Sequence, residues 1–437
     1  MKATKVGRAI TLLMRIWLVA AVALSASSAL ADLDSYMKKP EPNYKWELTA
    51  TKEVQGGKIY DMRLTSQTWQ GGDWNHRVQV FYPNDVKHPE WATVLNTGGG
   101  GDAMMDALGM GIATQGGAPF VILWHIPNQP LYGLTEDALI VYTWGKFMET
   151  GDETWPLHFP MAKAVLKCMD AVQEMAVKEK LTKPTNFVVT GASKRGWTTW
   201  LVGAAKDPRV KGIVPMVIDI LNVPAQIPHQ LEAFGQPSEE VADYTGAGMI
   251  EKLKTPQGKR LLELEDPYSY RDRLTMPKLI INGTNDRYWT LDALNLYWGD
   301  LKGEKHVLYV PNSGHGLEDK GRVIATSTAF VRTLASGKTF PKMSWDYKAT
   351  PDGGLELSIN SDPAPKSAVI FTASSKSKDF RDSKWSSQPM AAAGKGFAGR
   401  ITRPNEGFVA MYGEATYEID GKSYTLSTQI RILGAGK

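Results

Sequence analysis

The hexapeptide Gly191-Ala192-Ser193-Lys194-Arg195-Gly196 constrains this chain more than any other stretch. It comes after Phe187-Val188-Val189-Thr190, a run of β-forming residues, and opens a helical pattern carried by Trp197, Trp200 and Leu201. A serine between small residues where a strand becomes a helix is the layout of a nucleophile elbow. The turn is too tight for side chains that would meet neighbouring backbone. It lifts the hydroxyl above the end of a sheet, and the helix after it supplies free N–H donors for a developing oxyanion. Glycines around a serine also mark ordinary turns, so the reading depends on which residues come later in the chain.

Two later motifs supply them. Leu279-Ile280-Ile281 leads into Asn282-Gly283-Thr284-Asn285-Asp286, a strand ending in a loop with a carboxylate. His306-Val307-Leu308-Tyr309-Val310 runs into Pro311-Asn312-Ser313-Gly314-His315-Gly316. Serine, acid and histidine thus come in the α/β-hydrolase order, each just beyond a predicted strand. Ser193 is the expected nucleophile, His315 the general base and Asp286 the acid that holds the imidazole tautomer. Asp286 also suits a helix cap or an Asx-turn. Asp219, ending Val214-Pro215-Met216-Val217-Ile218, competes for the acid role.

A glycine run, Gly98-Gly99-Gly100-Gly101, comes after the predicted strand Thr93-Val94-Leu95-Asn96. Its position predicts oxyanion-hole N–H groups from Gly99 and Gly100, with Lys194, the residue after the serine, supplying another. A phosphate-cradling loop lacks its G-K-[ST] continuation here, and a surface loop is the plainer alternative. The elbow departs from G-x-S-x-G because Arg195 stands where the second glycine is usual. Its guanidinium has two candidate uses, a carboxylate on the substrate or a surface ion pair. Trp289 is a candidate substrate contact, and Trp124, Trp144, Trp155 and Tyr288 lie near strand ends that could line the same pocket.

Strands alternate with helices from Thr93 to Leu334, which predicts a mostly parallel sheet covered on both faces. Ligands of such sheets bind beyond the strand C-termini, where Ser193, Asp286 and His315 all fall. Residues 32–340 form the expected α/β-hydrolase domain. Within it, Tyr44–Val86 reads as antiparallel strands with Gly-rich turns. The irregular stretch 221–272 reads as an insertion, either a lid and substrate wall or a purely structural addition. Residues 341–437 shift to short alternating strands with an Asp-Gly turn near Asp420, predicting a C-terminal β-sandwich.

The first 31 residues read as a secretory signal peptide. Lys2, Lys5, Arg8 and Arg15 precede the apolar run Ile16–Leu24 and the Ala29-Leu30-Ala31 cleavage signal. The expected location is secreted or periplasmic, without stable membrane insertion after cleavage. Those four basic residues account for the excess of 50 basic over 46 acidic residues. The remaining chain is charge-balanced, which removes the main support for a nucleic-acid partner. The single cysteine, Cys168, cannot form an internal disulfide and suits a core position. The histidines show no zinc spacing, and the expected chemistry needs no metal or organic cofactor.

The elbow with Trp197, the segment His125-Ile126-Pro127-Asn128-Gln129-Pro130-Leu131, and Ser374-Ser375-Lys376 with Asp379-Phe380-Arg381 together resemble the PhoPQ-activated pathogenicity-related protein family. The resemblance spans nearly all of the chain after residue 31. It implies an exported α/β-hydrolase-type domain with a C-terminal β domain, and it implies no settled substrate. The serine-x-x-glycine spacing is also similar to that of glucuronoyl esterases, which carry arginine directly after the serine where this chain has Lys194. The expected function is an exported serine hydrolase acting on an ester or amide of a small molecule or peptide. The alternative is a hydrolase fold used without catalysis, as a binding, virulence or signalling factor. Oligomeric state is left open.

Overall fold

The computed structural model describes residues 32–101 and 103–436. The signal-peptide reading lies outside the described residues. Nine strands build the first part: β1 (Lys45–Val54), β2 (Gly57–Trp69), β3 (Gly72–Pro83), β4 (Trp91–Asn96), β5 (Phe120–Leu123), β6 (Asn186–Ala192), β7 (Val210–Met216), β8 (Lys278–Gly283) and β9 (Lys305–Val310). Their order in the sheet is β1-β2-β3-β5-β4-β6-β7-β8-β9. The first three are antiparallel, as the Gly-rich turns predict, and β4 to β9 are parallel. Gln70 and Gly71 both have positive φ (47° and 79°), the conformation a two-residue hairpin turn requires.

Burial follows from this placement. β5 and β8 are buried at every residue, as parallel strands covered on both faces must be. β1, at the edge, is mostly exposed and carries Lys45, Glu47, Lys52 and Glu53, charges that discourage pairing with another chain. The helix His158–Lys178 covers one face and buries Cys168, whose thiol is pushed far up by desolvation. The helix Lys320–Ala335 covers the other, with Phe330 fully buried. This is the α/β-hydrolase arrangement, an antiparallel edge leading into a doubly covered parallel sheet. Among the described residues, no helix is long and apolar enough to cross a membrane.

The C-terminal strands are β10 (Lys342–Ala349), β11 (Leu355–Asp362), β12 (Ser367–Ser375), β13 (Ser386–Pro389), β14 (Ala391–Ala393), β15 (Gly396–Ile401), β16 (Phe408–Ile419), β17 (Lys422–Ser427) and β18 (Arg431–Gly434). They form a sandwich. β10-β11-β15-β14 make one sheet, packed on β12 and β16 through Leu357, Ile359, Ile370 and Met411. Asp420 and Gly421 turn β16 into β17 with positive φ, as an Asp-Gly hairpin does. The sequence suggests a separate module, but the second sheet of the sandwich is the central sheet itself. β17 meets β9 at Ser427 and Val307, so 14 strands run through one sheet among the described residues. The Ser427 hydroxyl accepts a 2.9 Å hydrogen bond from the Tyr309 N–H. The outer edge of β9 is thereby covered rather than bare.

Candidate active site

Ser193 sits at the bend between β6 and the helix Lys194–Ala204 with φ 58° and ψ −127°. This is a sparsely populated conformation for a residue with a side chain, costing about 1–3 kcal/mol. It persists because both flanks are fixed. The Ser193 N–H donates to the Met216 carbonyl of β7 at 2.9 Å, and its carbonyl accepts from the Trp197 N–H at 3.0 Å. A Cβ at Gly196 would lie 2.7 Å from Ile218 and from the Met216 carbonyl, so the helix can approach β7 only with glycine there. The glycine displaced by one position from the usual elbow is therefore the one that meets the neighbouring strand.

Arg195 turns inward. Of the two uses its sequence position suggests, the structure holds an ion pair, but a largely buried one instead of a surface pair. Arg195 is 8% exposed, its Nη1 and Nη2 donate to the two carboxylate oxygens of Glu136 at 2.7 Å each, and its Nε donates to the Ile126 carbonyl. Both prongs of the fork are engaged, so the guanidinium is not free for a substrate carboxylate. Gly98 lies directly over it: a Cβ there would stand 1.9 Å from Nη2. The first glycine of the run thus makes room for the arginine. Burial alone would raise the Glu136 pKa, but the Arg195 hydrogen bonds and charge, with Gln129 and Lys194, bring it down to about 2. Lys194 Nζ is held by Asp137 at 2.8 Å, and Asp137 also accepts from the Tyr244 hydroxyl at 2.9 Å.

The acid and base loops are laced together beyond β8 and β9. His315 Nδ1 and Asp286 Oδ2 are 2.8 Å apart, and Asp286 Oδ1 accepts from the Tyr288 N–H at 2.9 Å. Asp219 lies deeper, accepting from the Tyr297 hydroxyl (2.5 Å) and Asn282 Nδ2 (2.9 Å). Desolvation, with the charges of Asp286 and Asp292 adding to it, pushes its carboxyl up to about 7. His315 is thus bonded to Asp286 and not to Asp219. Asn285 N donates to the Ser313 carbonyl and Asn312 N to Thr284 Oγ1, each at 2.9 Å.

Ser193 lines a cavity of about 120 Å³ together with Lys194, Tyr288 and Trp289. The Tyr288 ring is 4.3 Å from the His315 ring, and His315 shares a second cavity with Ala192, the residue before the serine. His315 and Ala192 thus face the same cavity. Its Nε2 is buried without a hydrogen-bond partner, and the Ser193 hydroxyl has none among the described residues. The hydrogen bond between them is not closed in this structure; such bonds are commonly long before a substrate is bound. The one serine–histidine hydrogen bond among the described residues is elsewhere. It joins Ser66 and His76 at 2.9 Å, where both are buried and burial lowers the His76 pKa to about 4.

Of the aromatic candidates, Trp144, Tyr288 and Trp289 line the Ser193 cavity. Trp124 instead packs beneath Gly101 and donates to Gln79, and Trp155 packs on Trp69 and Tyr132. Gly98 to Gly101 lie against Arg195, His125 and Trp124, beside the elbow. Much of the cavity wall comes from residues 223–253. Among the described residues, no group of three His, Cys, Asp or Glu side chains could hold a metal.

The sequence reading missed a brace from the sandwich. Asn285 Nδ2 faces the carbonyls of Ser383 (2.7 Å), Arg381 (3.1 Å) and Phe380 (3.4 Å). Asn312 exchanges two hydrogen bonds with the Trp385 backbone. Arg381 stacks over Phe234 of the 223–234 helix, its Cζ 4.1 Å from the ring centre. The segment 380–385 thus holds the acid loop, the base loop and the cavity wall at once. Its signal in the sequence is Asp379-Phe380-Arg381, which carries a family resemblance but names no partner.

Fold and elbow define a protein of the α/β-hydrolase fold. Within that class, the chain belongs to the PhoPQ-activated pathogenicity-related protein family, whose model matches residues 33–381. Autocrine proliferation repressor protein A of Dictyostelium discoideum is 34% identical over 437 residues, covering 91% of this chain and 88% of that protein. Among solved structures, acetyl xylan esterase 1 from Thermoanaerobacterium sp. JW/SL YS485 is 16% identical with a TM-score of 0.49, covering 69% of this chain and 93% of that one. A glucuronoyl esterase from Solibacter usitatus is 10% identical with a TM-score of 0.40, covering 71% and 96%. Neither of these two likenesses says what this chain acts on.

Proposed function

We propose that this protein is an exported serine hydrolase that cleaves an ester or amide through Ser193, His315 and Asp286. The observation that carries the reading is the 2.8 Å His315–Asp286 hydrogen bond beside a serine held at φ 58°. Asp286 fixes the proton on Nδ1, which leaves the unpartnered Nε2 as the base. Nε2 takes the Ser193 proton as Oγ attacks the carbonyl carbon. The tetrahedral oxyanion is held by the N–H of Lys194 at the helix start and by the Gly99 and Gly100 N–H groups. Collapse breaks the bond to the leaving group, which receives the proton from Nε2. Water, deprotonated by the same nitrogen, then releases the acid and restores Ser193. Arg195 acts here as a positioning residue, tying the elbow to the 126–137 segment.

A second reading is a hydrolase fold used as a secreted signalling or binding factor. The name of the Dictyostelium relative and the open Ser193–His315 hydrogen bond favour it. A fluorophosphonate probe separates the two. The hydrolase reading expects labelling of the wild type, and none of Ser193→Ala or His315→Ala. Folded wild-type protein that stays unlabelled would sink it in favour of the second reading.

A further inference from the structure

The cavity at Ser193 carries a statement about substrate class that rests on the hydrolase reading and goes beyond it. Its wall is mostly apolar: Trp144, Trp197, Ile218, Ile227, Met249 and Leu253 contribute, from the helix Glu136–Thr150, the elbow helix, the loop after β7 and the 223–253 insertion. Its charged lining residues are Lys194 and Asp137, and these are paired with each other at 2.8 Å. Arg195, the other cation at the elbow, is fully engaged by Glu136 and the Ile126 carbonyl. A carboxylate entering this cavity would lose its water and meet no unpaired cation.

The side of the scissile bond that the cavity serves follows from its lining. Ser193 and Lys194 are part of the wall, whereas His315, which must stand next to the leaving atom, is not; it lies behind Tyr288, whose ring is 4.3 Å from the imidazole. We propose that the cavity is an acyl pocket, and that the substrate is an ester or amide of an uncharged apolar acid of about four to six carbons, or of one aromatic ring. The size comes from the volume. The 120 Å³ here is close to the roughly 150 Å³ of an engineered apolar cavity that binds benzene. An acetyl group leaves most of it unfilled, and a dodecanoyl chain overfills it. The acyl group passes to Ser193 Oγ with release of the alcohol or amine, and water returns it as the free acid.

The test is kcat/KM of the purified protein on 4-nitrophenyl acetate, butanoate, pentanoate, hexanoate and dodecanoate. Each buried methylene favours the transition state about fourfold, so butanoate is expected to exceed acetate about 15-fold, hexanoate to hold or extend the gain, and dodecanoate to fall back. The monoglutarate ester, matched in length to pentanoate but ending in a carboxylate, should be at least tenfold slower than pentanoate. Ile227→Trp, which fills the pocket, should lower the hexanoate-to-acetate ratio at least tenfold; near-ultraviolet circular dichroism checks that it is folded. Ser193-dependent turnover with acetate equal to or above butanoate overturns the pocket assignment and leaves the hydrolase standing. So does fluorophosphonate labelling without turnover of any of these esters. Absence of both labelling and turnover removes the hydrolase reading, and the acyl pocket with it.

Discussion

Replacing Glu136 by glutamine tests the clamp beneath the elbow. The carboxylate meets the Arg195 guanidinium at two 2.7 Å contacts, and the arginine is only 8% exposed. A pKa brought from 4.5 to about 2 corresponds to an upper figure of about 3 kcal/mol. The Glu136 side chain is itself 40% exposed, so solvent screening brings this to about 1.5–2 kcal/mol. Removing one partner of a fully buried pair costs about 3–5 kcal/mol, because the remaining charge is stranded. Here one partner is buried and the other partly wet, so about 2–3 kcal/mol is expected, or roughly 3 °C in Tm for a chain of this size. The effect also has a pH signature. The folded pKa lies below the unfolded one, so the stabilisation is fully present above pH 4.5 and is lost as pH falls toward 2. Thermal unfolding of wild type and Glu136→Gln between pH 3 and 7 should show a gap that narrows by about half at the acid end. A Tm within 1 °C of wild type at pH 7, or a gap as wide at pH 3 as at pH 7, would refute the reasoning.

Two further substitutions address the acid and base loops. Asp286→Asn should slow fluorophosphonate labelling by about 10³-fold or more, since the imidazole loses the partner that fixes its tautomer. Asp219→Asn should slow it less than tenfold, and the opposite ranking would move the acid role to Asp219. Asp219→Asn should also flatten stability with pH: a carboxyl raised to about 7 in the folded state makes the wild type lose stability as pH rises from about 4 to 7. Asn285→Ala removes hydrogen bonds to the 380–383 carbonyls, at a cost of about 1–2 kcal/mol. On any ester that is turned over, it should lower kcat more than it raises KM; a change confined to KM would show that the brace shapes the pocket instead of the acid loop.

What could be read from the sequence was whatever depends on neighbours along the chain. The strand before Ser193, the glycines at 191 and 196, and the loops carrying Asp286 and His315 each announce themselves within about ten residues; β9 ends at Val310 as read, and β6 and β8 run two residues past their apolar runs, to Ala192 and Gly283. The fate of Arg195 could not be read this way, because its partner Glu136 is 59 residues away and nothing near position 195 names it. The same holds for Asn285 and Asn312, whose partners lie in the sandwich. The shift to short alternating strands after residue 340 precedes β10 to β18, but composition has no means of saying that β17 will dock on β9. Contacts between distant segments are where sequence reasoning stopped.

That junction at Ser427 and Val307 limits how the molecule can be taken apart. Cutting the chain near residue 340 would strip the cover from β9 and, with it, the carbonyls that hold Asn285, leaving an unsatisfied rim of the sort that recruits stray strands. Anyone wishing to graft a different appetite onto this scaffold is better served by recutting the 223–253 residues that face the cavity, such as Ile227 and Met249, while keeping Phe234, on which Arg381 of the sandwich rests.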